Sequence, residues 1–123
     1  MLSQATVVTF VATANPERAK EFYEQTLGLR LAYDDMFAIV FDLNGIMLRV
    51  QKVQMHTPPP YTVLGWDVAD ISAAVAELAA RGVRFERYEG MEQTDAGIWT
   101  APSGAQIAWF KDPDGNTLSL TQF

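Results

Sequence analysis

The feature that most restricts how this chain folds is an internal repeat. Asn15 and Asp70, both helix-capping residue types set before an apolar periodic stretch, lie 55 positions apart, and Ala19 and Ala74 keep that spacing. Two turn motifs also repeat, Asp42, Asn44 and Gly45 against Asp112, Asp114 and Gly115, at a spacing of 70. The longer second spacing places an insertion in the second copy, within EGMEQTDAGIWTAPSG.

Each copy reads as strand, helix, then strands. In the first, Val7, Val8, Phe10 and Val11 form a β-branched and aromatic strand. Asn15 caps a helix with Pro16 at its first position, Ala19, Phe22, Tyr23 and Leu27 share one helical face, and Gly28 ends it. The stretches LRLAYDD, FAIVFDL and IMLRVQKV follow as strands. In the second copy TVLGWDV is a strand, and Asp70 caps a helix with Ile71, Ala74, Val75 and Leu78 on one face and Gly82 as its stop. VRFERYE, GIWTAP, AQIAWF and the final TLSL are expected strands. Thr57 and Pro58 to Pro60 make the linker, because consecutive prolines cannot continue a hydrogen-bonded ladder. The expectation is an α+β chain of two tandem βαβββ modules in one domain over 1–123, with module one at about 1–56 and module two at about 61–123.

A chain of 123 residues, 49% of them hydrophobic, has enough apolar material for one core. With 15 acidic against 9 basic residues and a net charge of −6, it lacks the concentrated cationic face that nucleic acid demands. There is no cysteine, so disulfides, thiolate nucleophiles and Cys-ligated metals are excluded. Ala12-Thr13-Ala14 echoes a signal-cleavage pattern, but the preceding residues have no basic leader and only a short apolar run broken by threonines. No run approaches the length of a membrane span. A cytoplasmic protein without membrane or nucleic-acid partners is expected.

Three stretches, PERAKEFYEQTLGL, VADISAAVAELAARGVRF and FKDPDGNTLSL, resemble, in the same order, the helix and terminal-turn signatures of the vicinal oxygen chelate superfamily, which includes glyoxalase, bleomycin-resistance and extradiol-dioxygenase proteins, and the resemblance covers nearly the whole chain. The resemblance implies two modules whose curled mixed sheets enclose a shared cleft, usually in a homodimer. It also implies metal ligands, His or Glu, on the first and last strand of each module. Those positions map to Val8, Arg49, Val63 and Ser119. Valine has no lone pair to offer, Arg49 is a permanent cation, and a neutral serine hydroxyl is a poor sole ligand. No cofactor and no divalent metal is therefore expected.

Strand alternation groups Thr6 and Phe10 with Val8, Met47 and Gln51 with Arg49, Gly65 and Asp67 with Val63, and Thr117 and Thr121 with Ser119. The expected ligand-binding residues are Arg49, Gln51, Asp67, Ser119, Phe10, Met47, Trp99 and Trp109, with Tyr61 at the rim. Arg49 either clamps an anionic group or pairs with Asp67. Trp99 and Trp109 fall on neighbouring strands, where a ring could stack a planar ligand. The charged run RFERYEGMEQTD reads as a solvated strand and loop, and Gly90 and Gly97 would let it move as a lid. The leading expectation is a metal-independent protein that binds or sequesters a small organic molecule, of open charge. The alternative is a lyase, isomerase or other enzyme, with a non-standard metal set including His56 or with Asp67 or Glu86 as acid/base. A structural dimer with a filled cleft is a third class.

Overall fold

The computed structural model describes every residue from Met1 to Phe123. The chain divides into two compact units, Met1–Thr57 and Pro58–Phe123, each holding one four-stranded mixed sheet and one principal helix.

The first unit runs β1 (Val8–Thr13), α1 (Pro16–Glu21), β2 (Arg30–Asp34), β3 (Ala38–Leu43) and β4 (Ile46–Lys52). Its sheet order is β1-β4-β3-β2, with β1 parallel to β4 and the other pairs antiparallel. Asn15 takes the N-cap position of α1 and Pro16 the first turn, but the Asn15 side chain makes no capping bond to the helix. The helix widens into a π turn at Phe22–Thr26, where the Leu27 amide donates to the Phe22 carbonyl at 2.9 Å. Tyr23 on that turn is fully buried and its ring lies 5.9 Å from that of Phe41. Ile39, Phe41, Leu48 and Val50 alternate onto this buried face with no exposed surface. Each such side chain contributes about 1.5–3 kcal/mol by leaving water.

The second unit repeats the plan with β5 (Thr62–Asp67), α2 (Ile71–Ala80), β6 (Trp99–Thr100), β7 (Gln106–Lys111) and β8 (Thr117–Gln122), in sheet order β5-β8-β7-β6. Here the cap is complete, for Asp70 accepts the Ala73 amide at 3.1 Å. The helix packs on β7 and β8, burying Ile71 and Val75 against the side that carries Phe110, Leu118 and Leu120.

Two expectations need correction. VRFERYE is no strand: Phe85 forms a single bridge to Phe110, and the rest of the segment is irregular. Side chains do the work of a ladder there. Gln93 accepts the Tyr88 amide at 2.8 Å and donates to the carbonyls of Glu86 and Gly97, while Arg87 donates to those of Thr94 and Asp95. The expected strand GIWTAP shrinks to the two residues of β6. No helix is long and apolar enough to cross a membrane.

Candidate functional site

On the face of the first sheet opposite its buried core, register places Val8 beside Met47, Phe10 beside Arg49, and Ala12 beside Gln51. Val8, Phe10 and Met47 are exposed there. Arg49 donates from Nη1 to the Tyr33 hydroxyl at 3.2 Å, so its guanidinium is held within its own sheet. Sequence reasoning missed Tyr33 because β2 carries a bulge between Leu31 and Tyr33, which brings Tyr33 opposite Val40, next to Arg49 in the ladder. Asp35 accepts the amides of Phe37 and Ala38, and these bonds, with Arg49 nearby, hold its carboxyl below the usual carboxylate range.

The second sheet builds its open face in rows. Lys111, Thr117 and Thr62 form one row, and Trp109, Ser119 and Gly65 the next. A third row holds Ile107, Thr121 and Asp67, with Trp99 opposite Ile107 on β6. Val63 is skipped in this register as the extra residue of a bulge, so Thr62 rather than Val63 pairs with Thr117. Ser119 is 8% exposed, and its hydroxyl fills the space beside Gly65: a β-carbon there would lie 2.5 Å from Ser119 Oγ.

The aromatic side chains gather over these rows. The Tyr88 ring meets Trp109 edge-on at 5.4 Å and 85°, and Trp99 tilts against Trp109 at 6.0 Å. A cavity of about 440 Å³ opens between Trp109, Tyr88, Met91, Lys111, Thr117 and Thr62, with Pro60 and Tyr61 closing one side. Burial, joined by the charge of Glu86, pushes the Tyr88 phenol up from its ordinary value, so it keeps its proton at neutral pH.

The turn beside this cavity fixes the ends of β7 and β8. Asp112 Oδ1 accepts the amides of Asp114 and Asn116, both at 2.9 Å, and Oδ2 accepts Asn116 Nδ2 at 2.9 Å. Asp42 accepts the Gly45 amide at 2.8 Å in the matching turn. Both carboxylates are thus engaged within their own turns, as their sequence setting implied. Gly115, at φ +85°, lies against Pro58, whose Cγ would be 3.0 Å from any β-carbon there.

Of the residues expected to bind ligand, Trp109 lines this cavity, Ser119 occupies its row, and Trp99 backs its indole. Asp67 is exposed and two rows from Thr62. Arg49, Gln51, Phe10 and Met47 belong to the first unit's sheet. Glu86 lies in the irregular segment and His56 in the loop before Thr57, both half-buried. Tyr88, Met91 and Lys111 were missed. Lys111 was recoverable, since alternation along β7 puts it on the face of Trp109. Tyr88 and Met91 were not, because an irregular segment has no period to read.

The positions where the family resemblance called for metal ligands do not fit a divalent cation. Val8 and Arg49 in the first unit and Val63 and Ser119 in the second offer one neutral hydroxyl among them, already seated beside Gly65. Nowhere do three His, Cys, Asp or Glu side chains converge on one point.

The fold is shared with solved structures of low sequence identity. A superfamily member from Sphaerobacter thermophilus matches with TM-score 0.77 and 22% identity over 100% of both chains. A glyoxalase family protein from Bacillus anthracis matches with TM-score 0.77 and 17% identity, covering 97% of this chain and 94% of that one. A protein from Agrobacterium tumefaciens described as lactoylglutathione lyase gives TM-score 0.71 and 18% identity over 97% and 93%. A family model for the Glyoxalase/Bleomycin resistance protein/Dioxygenase superfamily matches residues 5–120. With nearly its entire length accounted for by that match, the chain belongs to this superfamily.

Proposed function

We propose that this protein binds a small organic molecule without the help of a metal, as a cytoplasmic homodimer, and that the aromatic cavity of the second unit is where the ligand sits. The observation that carries the reading is the Tyr88, Trp109 and Trp99 cluster, open on one side above a row of hydroxyls. Ligand sites are mostly apolar with a few placed polar groups, and about 440 Å³ is room for one drug-sized or smaller molecule. Metal independence is supported by the donor chemistry of Val8, Arg49, Val63 and Ser119. The homodimer is supported by the exposed apolar side chains Val8, Phe10 and Met47 on the first sheet.

The test is a thermal-shift and tryptophan-fluorescence screen of purified protein against a broad panel of planar metabolites and antibiotics. Binding stabilises the native state, so a true ligand raises the melting temperature and perturbs Trp109 emission. Tyr88→Leu, which removes one wall, should weaken that ligand, and a panel with no shift at all would defeat the reading. Elemental analysis of dialysed protein is the check on metal: one tightly held transition-metal ion per chain would refute metal independence. Loss of a measured turnover in Asp67→Asn with affinity retained would transfer the protein to the enzymes.

A further inference from the structure

We propose that the cavity selects planar aromatic compounds bearing a carboxylate, with the ring against Trp109 and the acid at Lys111. This rests on the reading of the cavity as a ligand site. Lys111 is the only charged side chain that lines it. It makes neither an ion pair nor a side-chain hydrogen bond within the protein, which leaves its ammonium available. Its row supplies two more polar groups, the hydroxyls of Thr117 and Thr62.

Geometry sets the size of the ligand. Lys111 and Trp109 are two residues apart on one strand face, about 7 Å along β7, which is roughly the span from the centre of a fused ring pair through its acid substituent to a hydrogen-bonded ammonium nitrogen. Tyr88 stands at right angles to Trp109 and retains its phenolic proton, so that end of the cavity offers a donor rather than a charge. A cationic ligand is disfavoured by the same inventory, since no carboxylate lines the cavity to answer it. Glu86 acts on Tyr88 from outside the lining. The chain's net charge of −6 repels anions at long range, so the selectivity has to be local.

The experiment compares three probes of equal shape by isothermal titration calorimetry: 2-naphthoate, 2-naphthamide and 2-naphthylmethylammonium. The carboxylate should bind about tenfold more tightly than the amide, the worth of one charge-assisted hydrogen bond, and the ammonium should bind most weakly. Lys111→Met should bring carboxylate and amide to within about twofold of each other by lowering carboxylate affinity alone, and Lys111→Arg should restore the preference. Lys111 is exposed, so neither variant disturbs the core. Equal binding of carboxylate and amide, or a preference that survives Lys111→Met, overturns the proposal and leaves the ligand site standing. Failure of all three probes to bind overturns this proposal, and the site itself falls only if the broad panel also produces no thermal shift.

Discussion

Gly65 and Ser119 share one volume, and that makes them the sharpest single-residue test in the molecule. A methyl at position 65 would sit 2.5 Å from Ser119 Oγ and 3.3 Å from the Ser119 carbonyl oxygen. Gly65→Ala should therefore destabilise by about 1–3 kcal/mol through overpacking, read as a lower urea midpoint. Ser119→Ala removes the nearer contact, so the double variant should lose less than the sum of the single variants. Additive losses would show that the hydroxyl is not what excludes a side chain at 65. Single residues were legible in the sequence where their chemistry is local. Asp42 and Asp112 could be assigned to their turns because the amides they accept lie two to four positions away. Tyr33 and Lys111 were overlooked, the first because a bulge changed its face, the second because it stands exposed at the end of β7 beside the turn, where a solvated lysine is the ordinary occupant.

Among the elements, β2 and β4 are joined at their ends by Lys52, which donates from Nζ to Asp34 Oδ1 at 2.7 Å and to the Asp35 carbonyl at 2.6 Å. That bond, with Lys20 adding its charge, holds the Asp34 carboxyl below its ordinary value. A lowered folded-state pKa stabilises the protein above the unfolded carboxylate value, and the contribution disappears as pH falls through the folded value. Asp34 is partly exposed to water, which limits the contribution to about 0.2–1 kcal/mol. Urea midpoints measured from pH 6 down to pH 2 should fall more steeply for the native protein than for Asp34→Asn over the acid end of that range. Identical curves would remove Lys52 and Asp34 from the list of stabilising pairs. Elements with strong periodicity were readable in advance: the five residues of β2 and all of β3 and β4 fall within the stretches marked as strands, while β7 runs past its stretch by Lys111 and β8 past its own by Thr121 and Gln122. The segment after α2 was not. Its Val, Phe and Tyr content suits a strand, but Gln93 and Arg87 satisfy its backbone from the side, and no local pattern announces that.

For the whole molecule, the duplicated strand order was the most legible property, because caps, helix faces and turns all repeat in sequence. The proposed homodimer belongs to this scale too. Phe10, 55% exposed on the open face of the first sheet, is the natural probe. Sedimentation velocity should show a dimer at micromolar concentration, and Phe10→Glu should shift it towards monomer with little change in the unfolding midpoint of each chain. A native protein that sediments as a monomer would contradict the expectation. The two sheet orders, β1-β4-β3-β2 and β5-β8-β7-β6, carry a consequence for synthesis. In each unit the strand that leaves the ribosome last is an interior one, bonded on one side to the first strand and on the other to the third. The first sheet can be completed once Lys52 has emerged, whereas β5 waits for Thr117–Gln122, so during translation β5 keeps an unpaired edge over a longer stretch of synthesis than β1 does.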